Sequence, residues 1–312
     1  MGQHYLKPLF APKSVAIFGA SDRTDAVGQI VFQGMLQGGY QGALYPINPS
    51  HAEVQGCKAY TSLAQIGEPV DLAVIATPAK TVPDIIEECG KHNVKAAVII
   101  TAGFGETGPE GQALERAVVE NAQRYGIRLI GPNCLGVMRP EIGLNATFNK
   151  GIANPGNLAF VSQSGALCTA ILDWAKSNDV GFSSVISMGS SVDVDFGEIL
   201  DYLVSDVKTQ SILLYIEGIR NARSFMSAIR AAARVKPVIL VKVGRHAAAS
   251  KAAMSHTASL VGSDDAFEAA VRRAGVVRVQ TITQLFSAAK ALSCGFHPTG
   301  NRRWSGSSRS CC

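Results

Sequence analysis

The sequence predicts an α/β protein built from two doubly wound units in tandem. Short, continuous apolar runs alternate with amphipathic helical patterns, each run ends in small or polar residues, and the alternation lapses once, over residues 134–156, before restarting. Apolar strands separated by helices imply a parallel sheet covered on both faces. Ligands of such sheets bind outside the carboxyl ends of the strands, so a crevice is expected along that edge.

The first unit, residues 1–133, opens with a strand SVAIF (14–18), a turn at Gly19-Ala20-Ser21 and a helix over 28–37 closed by Gly38-Gly39. Further strands are expected at ALYPI (43–47), DLAVIA (71–76), KAAVII (95–100) and IRLI (127–130), with helices over 80–91 and 111–125. They end in Asn48-Pro49, Thr77-Pro78-Ala79, Thr101-Ala102-Gly103 and Gly131-Pro132-Asn133. Residues 134–156 are rich in Gly, Pro and Asn without period, and predict an interdomain connection. The second unit, residues 157–292, has strands NLAFV, FSSVIS, SILLYIE, PVILVKV and VVRV, with the intervening helices and a last helix over 283–292. Residues 293–312 turn to Ser, Arg and a terminal Cys pair and predict a disordered or non-native tail.

Composition narrows the function classes. A chain of 312 residues that is 47% hydrophobic can bury two ordinary cores. The net charge of +5 is mild and its Lys and Arg are scattered, which argues against nucleic-acid binding. Seven cysteines without metal-ligand spacing fit a reducing compartment and no metal site. No apolar run is long enough to span a bilayer and the amino terminus lacks signal-peptide character, so a cytoplasmic protein with no membrane association is expected.

Several residues invite chemistry. The stretch Gly244–Asp265 joins a strand to a helix, and His256 near its middle is either a phosphoryl carrier at a helix amino end or a surface histidine. Glu217 closes an apolar strand, where it can orient a histidine or simply face water. Cys134 is a candidate nucleophile, with a buried structural thiol as the safer reading. Asp193 and Asp195 suit a metal or a helix cap, of which the cap is safer. The turn FGASDRTDAVG lacks the dinucleotide spacing and no acidic residue closes the second strand, so a nicotinamide dehydrogenase is disfavoured.

The motifs GASDRTDAVG, YPINPS, ATPA, ITAGFGE, GPNCLG, SQSGAL, YIEG and MSHTASLVGSD, in this order over residues 8–292, resemble the α part of NDP-forming acyl-CoA synthetases, relatives of the succinyl-CoA synthetase α subunit. The resemblance implies a Rossmann-like CoA-binding domain followed by a flavodoxin-like ligase domain. It implies that CoA or acetyl-CoA lies against Gly19, Ala20, Ser21, Asn48, Pro78, Ala79, Thr101, Ala102, Gly103 and Asn133. It makes His256 the phosphorylated residue, Glu217 its stabiliser, and Ser162, Ser164 and Gly165 holders of the phosphoryl group. ADP or ATP and Mg would be supplied only through an ATP-grasp β domain or chain, and a homo-oligomer is expected.

Two departures from the family's pattern stand out: Ala258 replaces the glycine after the histidine-threonine pair, and Ser190 replaces an asparagine. With wording such as SMGSSVDVDFGEILDYL, they bring the chain nearest to the synthetase-like part of bacterial Pat-type lysine acetyltransferases, in which that part precedes a GNAT domain. The leading expectation is therefore a CoA-binding portion of such a protein, without its ATP-grasp and GNAT parts. The alternatives are a working α subunit of an ADP-forming acyl-CoA synthetase and a CoA sensor without chemistry. The resemblance stops at Arg302, as if the chain were truncated there.

Overall fold

The computed structural model describes residues 4–243 and 264–294. A four-residue helix, α1 (Lys7–Phe10), precedes the first unit. That unit runs β1 (Ser14–Phe18), α2 (Val27–Gln37), β2 (Ala43–Ile47), β3 (Glu53–Val54), β4 (Cys57–Lys58), β5 (Leu72–Ile75), α3 (Val82–Lys91), β6 (Ala96–Ile99), α4 (Pro109–Tyr125) and β7 (Arg128–Ile130). Next come β8 (Gly136–Arg139), β9 (Leu144–Thr147), β10 (Pro155–Ser162), α5 (Gly165–Ser177), β11 (Phe182–Ser187), α6 (Phe196–Ser205), β12 (Ser211–Ile216), α7 (Ala222–Ala233) and β13 (Val238–Lys242). The described chain closes with α8 (Asp264–Arg273), β14 (Val277–Val279) and α9 (Ile282–Ser293).

The first sheet has the order β2-β1-β5-β6-β7 and is parallel throughout. The second has the order β14-β13-β12-β10-β11-β8-β9, parallel from β14 to β11. Both parallel sets follow the 2-1-3-4-5 winding, so each reverses direction once, between β1 and β5 in one sheet and between β10 and β12 in the other. Strands β1, β5, β6, β11 and β12 are buried at every position, which is why they read as continuous apolar runs.

Residues 134–156, expected as a connection, contain β8 and β9, which extend the second sheet: β8 pairs antiparallel with β11, and β9 antiparallel with β8. Both are four residues long, Pro140–Ile142 forms a 3-10 turn between them, and Asn145 and Thr147 are buried polar residues. Thr147 donates its hydroxyl to Asn145 Oδ1 at 2.6 Å, so polarity that reads as a loop is satisfied inside the sheet.

Side-chain caps start the helices α5, α6, α7 and α9 of the second unit. Asp195 and Glu198 form a reciprocal capping box on α6, Asn221 caps α7 and Thr281 caps α9. Gly126, at φ 68°, ends α4 in the left-handed region that glycine adopts without steric cost.

One apolar cluster joins the units: Leu6, Leu9 and Phe10 pack with Val15 and Phe32 of the first unit and with Val161, Leu200 and Tyr202 of the second. The free edge of β7 is also covered. Val194 donates its N–H to the Leu129 carbonyl at 3.2 Å, Val192 to Gly131 at 3.3 Å, and Gly131 donates to Met188 at 3.2 Å. Across the same seam Arg128 forks onto Asp193, Nε to Oδ2 at 2.9 Å and Nη2 to Oδ1 at 3.0 Å, and reaches Glu198 at 2.7 Å. Burial by itself would lower the guanidinium pKa, but the two carboxylates outweigh it and raise it. Asp193 thus pairs with an arginine and Asp195 caps a helix. Among the described residues no group of three or more His, Cys, Asp or Glu is placed to hold a metal ion, and no helix is long and apolar enough to cross a membrane.

Candidate functional site at the facing sheet edges

The two direction reversals face one another across a single cleft of about 1440 Å³. Gly19 and Ser21, after β1, and Ala76, Thr77 and Pro78, after β5, form one wall. Gln163, Ser164, Gly165 and Ala166, between β10 and α5, and Glu217, after β12, form the other. The volume exceeds the usual few hundred to about 1000 Å³ of a compact ligand site and suits an elongated molecule.

Glycine makes the first wall possible. A Cβ at Gly28, in the first turn of α2, would lie 1.8 Å from the Gly19 carbonyl oxygen. At Gly19, with φ +86°, it would lie 2.8 Å from the Ala76 oxygen. The first approach draws the amino end of α2 against the end of β1 and the second sets that turn against the end of β5, so that the unpaired N–H groups of α2 lie at the strand ends, where they suit an anion.

The lining differs in charge between its two walls. Among the described lining residues the basic side chains are Arg23 and His51, on the first unit, and the acidic one is Glu217, on the second. The Arg23 loop is pinned from below: Gln55 donates from its N–H to Asp22 Oδ1 at 2.8 Å and from its amide to the Ser21 and Gln29 carbonyls. Asn48 Nδ2 donates to the Ala20 carbonyl at 2.8 Å, and its Oδ1 accepts from Ser50 N–H and lies 3.3 Å from His51 Nδ1. Thr101 donates its hydroxyl to the Thr77 carbonyl at 2.6 Å, and Asn133 donates its N–H to the Thr101 carbonyl at 2.9 Å. The polar groups of this rim therefore hold adjacent strand ends in register.

Of the residues expected to meet CoA, Gly19, Ser21, Asn48, Pro78, Thr101, Ala102 and Asn133 line the cleft; Ala20, Ala79 and Gly103 do not. Ala20 is fully buried, and the Gly103 N–H is taken by Glu106 Oε1 at 2.7 Å. Of the expected phosphoryl holders, Ser164 and Gly165 line it at the start of α5. Ser164 accepts from Leu167 N–H as the helix cap. Ser162 is fully buried, donating its hydroxyl to the Ser164 carbonyl and accepting the Ser164 N–H, so it shapes the turn beneath the cleft. Ser190 donates its N–H to the Pro132 carbonyl and does not line the cleft. His256 and Ala258 lie outside the described residues.

Cys134 touches the cleft but is only 3% exposed, and its thiol donates to the Ile99 carbonyl at 3.3 Å. Burial pushes its pKa well up, which leaves no thiolate for nucleophilic work near neutral pH. Arg23, His51, Phe148 and Gln163 also line the cleft. The motifs quoted from the sequence contain Arg23 and Gln163, but their neighbours there gave no hint of a role.

Residues 13–140 match the family described as CoA binding domain, and residues 155–292 the succinyl-CoA ligase-like flavodoxin domain. The chain joins a CoA-binding domain to a succinyl-CoA ligase-like flavodoxin domain. It is 45% identical over 287 residues to the ADP-forming acetate–CoA ligase I of Archaeoglobus fulgidus, covering 92% of this chain and 42% of that one. It is 42% identical over 300 residues to the α subunit of ADP-forming acetate–CoA ligase I of Pyrococcus furiosus, covering 95% and 65%. Its fold superposes with a TM-score of 0.88 and 38% identity on the dinucleotide forming acetyl-coenzyme A synthetase 1 of Ca. Korarchaeum cryptofilum in complex with phosphate and ADP, covering 92% of this chain and 62% of that chain. The chain thus spans between about two fifths and two thirds of these relatives. The Rossmann-like CoA-binding domain supplies the basic wall of the cleft and the flavodoxin-like domain the helix start and the carboxylate.

Proposed function

We propose that the chain is the α part of an ADP-forming acyl-CoA synthetase and works with an ATP-grasp β chain or region. The observation that carries this reading is the single cleft between the two sheet edges, basic on the CoA-binding domain and bearing a helix amino end and Glu217 on the flavodoxin-like domain. The relatives named above are an ADP-forming ligase, the α subunit of another and an acetyl-CoA synthetase, which favours the synthetase alternative over a portion of a lysine acetyltransferase.

The residues present fit CoA. Arg23 and His51 can meet its phosphates, backbone N–H groups at the start of α2 add to them, and the cleft's continuation to the start of α5 leaves room for the thiol end there. Bound there, CoA supplies the thiol that carries the acyl group. From an acyl phosphate, an imidazole nitrogen of His256 attacks phosphorus, the bond from phosphorus to the acyl oxygen breaks, and the free carboxylate leaves. Passing the phosphoryl group to ADP breaks the N–P bond and forms ATP. Gly165 and Ala166, at the start of α5, present N–H groups without intrahelical partners to the phosphoryl oxygens. Glu217 would balance the cationic imidazole of the intermediate.

The test is to incubate the purified chain with an ATP-grasp partner and ATP labelled on its γ-phosphate, beside His256→Ala. Label on the wild type alone is expected, with CoA binding by calorimetry unchanged in the variant. CoA binding without label would leave a sensor or a binding portion, and neither binding nor label would end the reading.

A further inference from the structure

The reversal between β10 and β12 is bridged by one side chain. The two strands pair in parallel as far as Ser162 and Tyr215, after which the chain leaves β10 for α5 and β12 for α7. A crevice opens at such a point because the two connections diverge. Across it lies Gln163. Its backbone N–H donates to the Tyr215 carbonyl at 3.3 Å. Its Oε1 accepts from the N–H of Glu217 at 2.7 Å and of Gly218 at 3.0 Å, and its Nε2 donates to the Gly218 carbonyl at 2.9 Å. Three bonds from one carboxamide thus converge on two consecutive backbone residues, one of them Glu217.

We propose that Gln163 is a positioning residue for the phosphoryl site, splinting the Glu217–Gly218 turn so that the Glu217 carboxylate is held at a fixed distance from the start of α5. The assignment rests on the synthetase reading given above. The residue before the α5 cap sets where Ser164 and Gly165 begin the helix, and its side chain sets where the β12 exit lies. Both lips of the crevice are therefore referred to the same residue. Without the splint, the backbone amides of 217 and 218 must find other acceptors, and the exit turn gains freedom that a carboxylate facing a developing charge cannot tolerate.

The experiment is a double-mutant cycle in the full chain with its ATP-grasp partner, using Gln163→Leu, Glu217→Gln and the double variant, read as the rate of label transfer from ATP. Gln163→Leu is expected to slow transfer at least tenfold while calorimetric CoA affinity stays within twofold, because the basic wall lies on the other domain. The double variant is expected to be no more than threefold slower than the slower single variant, since both act through one carboxylate. If Gln163→Leu does not fold, Gln163→Met, nearly the same length and without the carboxamide, runs the same cycle. A multiplicative cycle, an unaffected rate, or a CoA affinity that falls in step with the rate overturns the assignment. Wild-type protein that takes no label fails the synthetase reading itself, whereas labelled wild type with a multiplicative cycle fails Gln163 alone.

Discussion

Replacing Arg128 with Met tests how firmly the two units are joined. The substitution removes three charge-assisted hydrogen bonds, two to Asp193 and one to Glu198, and leaves the two carboxylates together at the seam. Fully buried, bonds of this kind are worth about 1.5–3 kcal/mol each. Here the arginine side chain is 24% exposed and the carboxylates 28% and 27%, so water replaces part of what is lost. Asp193 also keeps the Leu129 N–H at 2.8 Å, and Glu198 keeps the Tyr5 hydroxyl at 3.1 Å. A net loss of about 2–3 kcal/mol follows. Unfolding entropies of about 2 cal/mol/K per residue convert this to a fall in Tm of about 3–5 °C if the chain unfolds as one unit. Arg128→Lys should recover less than half, because an ammonium cannot reproduce the planar fork. Scanning calorimetry at pH 7 and low salt reads both variants. A fall of less than 1 °C for Met, or full recovery by Lys, would refute the reasoning.

Three other outcomes are expected. Gly28→Ala should cost about 1–3 kcal/mol and weaken CoA binding at least tenfold, since its Cβ would meet the Gly19 carbonyl and push α2 from the strand ends; unchanged calorimetric affinity would contradict this. Arg23→Ala should weaken CoA by about tenfold, near 1.4 kcal/mol, with the loss shrinking as salt rises; a loss independent of salt would remove the electrostatic explanation. In native alkylation at pH 8 followed by peptide mapping, the exposed Cys294 should react, while Cys89, Cys134 and Cys168 should not. Burial raises all three buried thiols, Cys168 to about 12, and modification of Cys134 as fast as of Cys294 would show that the site opens.

Much of the architecture was legible because buried parallel strands cannot hide: SVAIF, ALYPI and FSSVIS coincide with strands end to end. β8 and β9 escaped because each carries polar or glycine positions whose partners come from elsewhere, such as Met35 Sδ accepting the Asn145 N–H. The cleft rim was legible as a set of strand ends, since small residues there leave room for a ligand. The individual duties were not. Ser162 and Ser164 look alike in SQSG, yet one is buried under the turn and the other caps a helix on the wall. Gln163 between them gains its meaning only from a strand more than fifty residues later.

The covered border of β7 limits how this polypeptide can be taken apart. Expressed alone, the leading half would display an unpaired row of main-chain donors and acceptors at 129–131, where residues 188–194 now sit, and such a border recruits neighbouring molecules into aggregates. Anyone grafting a relative's leading half onto this one must import the matching 188–194 sequence with it, so that the grafted hybrid stays dispersed in solution.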